Sequence, residues 1–410
     1  TNEDIKDLLM DPENYDFRPH PDSDLIDAGG SIEGITDGFI GDAPDQGAYE
    51  YGGEMWVPGI SWDISEVFGD EFSEPEPMYN GSLFHVSING SNNNDGSIDN
   101  PFSSIQFAYD RADEQDTILV HPGVYYDDIW FYGKNVVLGS LFLTTGDTSF
   151  LSSTIIDGDS TDCTIAIYGN IDSTCRITGF TIQNGIGCVY GQGAGIYVES
   201  ASPRLDNLII KNNISGTNGG GICLNGNSNS LIDKVLIKNN SADVGGGLYS
   251  FNSNPVITNS IIQNNHANNG AGVFLELCSP NFENVSITDN NAISSGGGIY
   301  CGLTSGPVLN HVTISNNSAS SGGGILSIQN SQPMFSNSIL WGDAPEEIIS
   351  DPDSITIVYS NIQGGWEGAG NINQDPLFCM AEYGDYALAE NSPCIESGED
   401  GVNMGTFGIG

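Results

Sequence analysis

The sequence predicts an all-β solenoid, a parallel β-helix built from stacked short strands. The prediction depends on a repeat of about 26 residues, on apolar residues that alternate within each repeat, and on turns rich in Gly, Asn and Pro. Successive repeats begin 26, 26, 25, 26 and 26 residues apart. A fixed period of this length indicates one structural unit per repeat. The repeats begin at Gly195-Ile-Tyr-Val, Gly221-Ile-Cys-Leu, Gly247-Leu-Tyr-Ser, Gly272-Val-Phe-Leu, Gly298-Ile-Tyr-Cys and Gly324-Ile-Leu-Ser.

The strands are predicted from alternating apolar residues, which exclude helices as the main element. Turns separate the strands within a unit, so each strand must pair with its equivalent in the next unit, about 4.8 Å away. Aligning the units places apolar residues in two columns that we expect to face the interior. The first column is Leu205, Ile232, Ile257, Phe282, Leu309 and Phe335, and the second is Ile210, Ile237, Ile262, Ile287, Ile314 and Leu340.

The turns contain two further columns with structural roles. Stacked asparagine amides can hydrogen-bond from unit to unit, and Asn tolerates left-handed turn conformations. The Gly-Gly-Gly and Gly-Ala-Gly turns predict positive φ at a sharp corner between sheets. The asparagine column is Asn213, Asn240, Asn265, Asn290 and Asn317.

Charge excludes two classes of partner. The formal net charge is −45, from 54 acidic residues and 9 Lys and Arg. Such a polyanion is repelled by nucleic-acid phosphates and by anionic membranes. No apolar run approaches the roughly 20 residues that span a bilayer. We therefore expect neither nucleic-acid binding nor membrane insertion.

These repeats resemble those of the right-handed parallel β-helix proteins of the pectin-lyase-like superfamily. The Gly-Gly-Gly-Ile/Leu turns also resemble the repeats of bacterial polymorphic outer-membrane adhesins, which pair such a turn with a Phe-x-x-Asn motif, matched here from Phe251 to Asn254. The resemblance implies a bacterial-type secreted protein, extracellular or on the cell surface.

The flanking segments predict the domain organisation. Residues 84–139 resemble the N-terminal region of secreted β-helix proteins, and a short helix near Ile105 to Ala112 is expected to cover the open end of the core. Residues 371–398 resemble the segment that closes such domains, and the N-terminus repeats its motifs. We predict the tail of an upstream β-helix module at 1–53, an acidic linker at 54–82, the parallel β-helix at 83–370 and a closing segment at 371–410. Tandem modules of the same chain are therefore expected as partners.

Enzymes of this superfamily act on polysaccharides, so the resemblance implies that catalytic motifs of this kind could occur here. The lyase Arg-x-Pro-x-x-Arg run and the hydrolase Asn-Thr-Asp, Asp-Asp, Gly-His-Gly and Arg-Ile-Lys motifs are absent. Asp206 and Asp233 share a column, about 5 Å apart on adjacent units, and could divide acid and base roles. Lys211 and Lys238 share another column. The alternative is a solvated row of carboxylates that pair with these lysines.

A ligand-binding surface is predicted in the column that follows the turn glycines. Strand alternation places this column outside if its neighbours point inward. Stacked aromatic rings would then offer flat faces to the sugars of a polysaccharide or cell-surface glycan. Alternatively, the rings pack under a loop or stack along the sheet. The column is Tyr197, Cys223, Tyr249, Phe274, Tyr300 and Leu326, and its aromatic members are the candidate ligand contacts.

The turn Asp157-Gly-Asp-Ser-Thr-Asp162 predicts calcium as a possible, though not required, cofactor. Its carboxylates, those of Asp157, Asp159 and Asp162, suit a hard cation that prefers oxygen. The spacing matches no complete calcium-binding repeat, and a plain polar turn is the alternative.

Cysteines predict up to two disulfides. Cys379 and Cys394 flank a short turn-rich segment, and Cys163 with Cys175 forms a second candidate pair. The other cysteines are equally compatible with small apolar side chains in the core.

The sequence as a whole favours a non-catalytic protein that serves adhesion, carbohydrate contact or spacing. The alternative is a polysaccharide lyase or glycoside hydrolase on the same scaffold, because a fold does not determine an activity.

Overall fold

The computed structural model describes residues 9–11, 16–19, 81–188, 191–381 and 384–410. The chain divides into two units, Thr1–Asp70 and Glu71–Gly410. In the first unit the strands Leu9–Asp11 and Asp16–Pro19 pair antiparallel. Most of the predicted upstream tail and almost all of the predicted linker lie outside the described residues, so the domain boundaries stay a prediction.

The second unit is a parallel β-solenoid that contains two large sheets. Sheet I has 16 strands. They are Leu83–Val86, Thr117–Val120, Gly123–Tyr125, Val137–Ser140, Thr154–Asp157, Arg176–Gln183, Arg204–Lys211, Leu231–Lys238, Val256–Gln263, Asn281–Thr288, Val308–Asn310, Thr313–Ser315, Met334–Ser336, Ile339–Trp341, Thr356–Val358 and Asn361–Ile362.

Sheet II has nine strands on another side of the coils. They are Ile129–Tyr132, Ile165–Tyr168, Ile196–Glu199, Ile222–Asn225, Leu248–Phe251, Val273–Glu276, Ile299–Gly302, Ile325–Ser327 and Ile348–Ser350. The remaining strands are the parallel pair His266–Asn269 and Asn291–Ser295 and the antiparallel pair Phe378–Met380 and Asp385–Leu388. Within the described part of this unit, the helices are α1 (Ile105–Arg111), α2 (Phe142–Thr145), α3 (Ser149–Ser153) and the 3-10 turn Glu399–Gly401. None of the helices in the described ranges has the length and apolar character needed to cross a bilayer.

Both predicted interior columns are confirmed. Their members pair in register from coil to coil, as Ile232 does with Ile257 and Ile237 with Ile262. All twelve side chains are at most 2% exposed and belong to one core that runs through the stack. Register is fixed because a shift of one residue would turn an entire apolar set toward water.

Residues with positive φ, in the left-handed backbone conformation, form the corners of each coil. The eight-residue strands of sheet I bend at their fourth residue, for example at Asn259 (φ 47°). The predicted positive φ of the glycine turns is found at the first glycine, such as Gly245 (φ 68°). The third glycine is required for a different reason, since a Cβ on Gly247 would lie 2.6 Å from the carbonyl oxygen of Gly272 and 3.0 Å from Nδ2 of Asn265.

The asparagine column forms the predicted ladder. Asn265 Nδ2 donates to Asn290 Oδ1 (3.0 Å) and to the Ile237 carbonyl (3.0 Å), while its own Oδ1 accepts from Asn240 Nδ2 (3.1 Å) and the Asn240 backbone N–H (3.0 Å). The other members repeat this pattern, and each is at most 1% exposed. The amides therefore satisfy one another, as buried polar groups must.

The predicted N-terminal cap is also present. Helix α1 begins after Ser104, whose Oγ accepts from the Phe107 backbone N–H (3.2 Å). Its buried side chains, Ile105, Ala108 and Tyr109, join the main core. The helix thus covers the apolar cross-section that the first coil would otherwise expose.

Candidate functional site

Asp206 is held in a closed ionic cluster. Its side chain is fully buried, and Arg176 donates to both carboxylate oxygens, from Nε to Oδ1 (2.7 Å) and from Nη2 to Oδ2 (2.8 Å). Arg204 lies 3.0 Å away, and Thr178 Oγ1 and Asn207 Nδ2 also donate. A carboxylate with so many donors has no exposed oxygen to offer a substrate, so a catalytic role for Asp206 stays a prediction that this geometry does not favour.

Asp233 pairs in register with Asp206, as predicted. It lies on a partly exposed position and accepts from Thr258 Oγ1 (2.6 Å). Lys211 and Lys238 also pair in register, but on the other side of the strand bend. The cationic partners of Asp206 are therefore arginines, which the sequence analysis missed. Burial and the neighbouring Lys211 charge lower the pKa of Lys238.

The predicted aromatic column lies on the outer face of sheet II, apart from the core. Tyr197, Tyr249 and Phe274 are nevertheless only 3%, 7% and 6% exposed. Phe274 stacks between Tyr249 and Tyr300, with ring centroids 5.6 and 4.4 Å away. Burial raises the pKa of the Tyr249 hydroxyl, which is therefore neutral. Tyr300 alone of these four is partly exposed, so glycan contact by this column stays a prediction with little free surface to support it.

A more accessible group of rings lies at the start of the same face. We call Trp130, Tyr132 and Tyr168 the aromatic platform. Their ring planes lie within 8–11° of parallel, with centroids 5.3–6.2 Å apart. Tyr132 is on the first strand of sheet II, where none of the described strands covers it, and it is 57% exposed. The sequence shows the signal for this platform, because Trp130 and Tyr132 alternate along one strand and Tyr168 is in register with Tyr132.

Helix α1 fixes the strand that carries Trp130 and Tyr132, two of the three rings of the platform. Gln106 Oε1 accepts from the Trp130 backbone N–H (2.7 Å), and Tyr109 Oη accepts from the Tyr132 backbone N–H (2.7 Å). Tyr109 Oη also donates to the Tyr132 carbonyl (3.2 Å). These side chains replace the neighbouring strand that an edge strand lacks. The rings therefore project from a rigid element.

Polar groups continue the row that begins with Tyr132 and Tyr168. Glu199 and then Asn225 follow Tyr168 in register on the next two coils. Tyr197 Oη donates to Glu199 Oε2 (3.2 Å), and Asn225 Nδ2 donates to Gln192 Oε1 (2.9 Å). Aromatic faces beside hydrogen-bonding side chains are the features that bind sugars, which have apolar faces and hydroxyl edges.

The predicted calcium turn does not present its carboxylates together. Asp157 is buried, and its Oδ2 accepts from Gln183 Nε2 and Asn184 Nδ2, both at 2.8 Å. Asp159 is exposed. Asp162 lies beside two cysteine sulfurs instead. Calcium at this turn stays a prediction.

A buried carboxyl pair lies near the C-terminal end of the stack. Asp343 stands at the next position of the asparagine ladder, where its Oδ1 accepts from Asn317 Nδ2 (2.8 Å). Asp343 Oδ2 and Glu347 Oε2 are buried, and no group of the described residues donates to either oxygen. They border a cavity of about 330 Å³ that Trp366 also lines. Burial, reinforced for Asp343 by the Glu347 charge, raises the pKa of both carboxyls, so the pair retains a proton.

Replacing Asp343 with Asn should stabilise this end of the stack at alkaline pH. The folded chain holds protons that the unfolded chain releases at the ordinary carboxyl pKa, so stability falls as pH rises from that value through the raised pKa. An amide cannot ionise and continues the ladder. We expect the free energy of unfolding of the variant to exceed that of the native chain by about 1–2 kcal/mol at pH 8 and to differ little at pH 4. Urea unfolding at both pH values measures this difference.

The matched control is Asp353→Asn, which removes the same charge from an exposed position at this end of the stack. An equal gain in stability in both variants would show that the gain comes from the reduced net charge of the chain and not from the buried position.

Comparisons with known proteins agree with the architecture. Residues 140–319 match the family model for a right-handed β-helix region, and residues 311–328 match the repeat of the Chlamydia polymorphic membrane protein. No curated protein matches the chain.

Solved structures show distant similarity. The match to pectate lyase Pel9A covers 80% of this chain and 96% of the lyase chain, with 13% identity and a TM-score of 0.44. XylC in complex with xylose covers 72% and 87%, with 10% identity and a TM-score of 0.41. Pectin methylesterase PemA from Erwinia chrysanthemi covers 73% and 92%, with 12% identity and a TM-score of 0.39. The repeats of this chain, from residue 140 to residue 319, are a right-handed β-helix region.

Proposed function

We propose that this chain is a non-catalytic, secreted or surface-displayed β-helix that contacts neutral glycans through the aromatic platform. The observation that carries the proposal is the set of nearly parallel, partly exposed rings on two neighbouring strands, the first of which helix α1 holds in place. Ring faces bind the apolar faces of sugars, and a preformed site loses little conformational freedom on binding.

The charge of the chain favours neutral over acidic sugars. The described carboxylates near the platform include Glu199, which pairs in register with Tyr168, and Asp162, which lies beside Cys188 near Tyr168. Asp128 lies near Asp162. Burial and the neighbouring Asp162 raise the pKa of Asp128, although Thr161 also donates to it. A uronate polymer would add further negative charge to this surface. Adhesion or spacing by a long surface protein is compatible with such weak, repeated contacts.

The test is affinity electrophoresis of the chain in hydroxyethylcellulose, a neutral polymer, and in polygalacturonate, an acidic one. Tyr132→Ala and Tyr168→Ala should each weaken binding to the neutral polymer about fivefold, because each removes an aromatic face worth about 1 kcal/mol. Retention should change little with salt, since stacking is not charge-driven.

The control is Tyr126→Ala, which removes a tyrosine that is 69% exposed and lies outside the platform. Equal loss in the control would indicate nonspecific contact by surface tyrosines. Loss in Tyr300→Ala alone would place binding on the predicted aromatic column instead. Release of products from polygalacturonate that disappears in Asp233→Ala would replace the proposal by the enzymatic alternative.

A further inference from the structure

The strongest unassigned cluster joins two cysteines and an aspartate beside the platform. Ligand atoms of Asp162, Cys163 and Cys188 all lie within 4.8 Å of one another. Cys163 is fully buried, whereas Cys188 and Asp162 are partly exposed, so the cluster is open to solvent on one side. The predicted partner of Cys163 was Cys175, but that thiol lies in the main core, whereas Cys163 packs with the outer cluster.

The cluster ties two turns together. Asp162 Oδ1 accepts from the Cys163 backbone N–H (2.8 Å), which orients the carboxylate at the end of the turn after Asp157. Cys188 belongs to the turn of the next coil, and its Sγ lies 4.0 Å from Tyr168 Oη. The second sulfur is thus in contact with a ring of the platform.

We infer that Asp162, Cys163 and Cys188 form a binding site for a thiophilic divalent cation of the zinc class. Ligand atoms on one tetrahedral zinc lie about 3.5–3.8 Å apart, so small side-chain movements within the observed spacing bring all three to the metal. Two sulfurs with one carboxylate favour zinc over calcium, which prefers a shell of oxygen atoms. Water can complete the fourth position from the exposed side.

The surrounding charges support a cation rather than a disulfide. Cys163 lies near the carboxylates of Asp162 and Asp128. A disulfide would leave these negative charges uncompensated. Binding of a divalent cation releases both thiol protons to solvent and leaves thiolates whose charge the metal neutralises.

The experiment uses Cd²⁺ as a probe on the full chain, purified under reducing conditions and stripped of metal. Thiolate–cadmium charge transfer absorbs in the ultraviolet, so the readout does not depend on glycan binding. We expect one Cd²⁺ per chain, competition by Zn²⁺ but not by excess Ca²⁺, and affinity that increases with pH.

Variants identify the ligands. Cys188→Ser should abolish the absorption band, and Asp162→Asn should keep it while weakening affinity at least tenfold. The control is Cys379→Ser, which should bind Cd²⁺ normally. Cys379 is exposed, lies outside the cluster and is free, so its predicted disulfide with Cys394 is not formed. A band that survives in Cys188→Ser, an absent band, or a Cys163–Cys188 disulfide that persists under these reducing conditions would overturn the inference. None of these results bears on the platform, whose glycan binding is measured separately.

Discussion

Replacing Ile262 with Asp should unfold several coils of the solenoid at once. Ile262 is fully buried and pairs with Ile237 and Ile287 on the adjacent coils. Its carbonyl also accepts from Asn290 Nδ2 (2.9 Å), so a displaced strand would disturb the ladder as well. A carboxylate in this position has no cation to pair with, and its burial would cost more than about 4 kcal/mol.

Circular dichroism and thermal unfolding measure this effect. Val256→Asp is the matched control, because it places the same charge on a 39% exposed position of the same strand. It should change stability by less than about 0.5 kcal/mol. An Ile262→Asp variant with an unchanged melting temperature would show that the interior columns are assigned to the wrong side.

Arg176→Met should also cause a large loss of stability, because it leaves the buried Asp206 without its bidentate partner. Removing one member of a buried ion pair typically costs about 3–5 kcal/mol, because the remaining charge stays desolvated. The expected loss lies near the lower value, since Arg204 remains 3.0 Å from the carboxylate. Methionine retains most of the apolar stem, so little of the loss comes from packing.

A double-mutant cycle separates the ion pair from other effects. Arg176→Met combined with Asp206→Asn should recover part of the loss, because no uncompensated charge remains. Lys211→Met provides the control for removing a cation from the next coil. If the single and double variants are equally unstable, Arg176 acts through packing and not through its charge.

Much of the fold was predictable because the repeat fixes the register. Once Ile237 and Ile262 are aligned, strand alternation determines which side chains face inward. The ladder followed from the same alignment, since Asn recurs at one position of every unit from Asn213 to Asn317. These predictions require only the period and the twofold alternation of a strand.

The candidate site was less predictable, for physical reasons. Alternation places Tyr249 outside the core, but it gives no indication that the ring will be buried by its stacked neighbours and the glycine turns. One of the two arginines that contact Asp206, Arg176, lies before the first of the clear repeats. It is nevertheless in register with the other, Arg204. Cys163 and Cys188 are 25 residues apart, close to one period, which is the signal that brings them together.

The asparagine ladder gives the solenoid a direction of growth. Every amide-to-amide bond runs from one coil to the next toward the C-terminus, so each coil needs an acceptor ahead of it. Asp343 ends the series, since its Oδ1 accepts from Asn317 but a carboxylate has no amide hydrogen to pass on. Duplication of a coil between Asn213 and Asn317 would therefore lengthen the protein without interrupting the series. A coil added after Asp343 would have to start a new series of amide bonds. Gene duplications that lengthen this protein should therefore be confined to the middle of the stack.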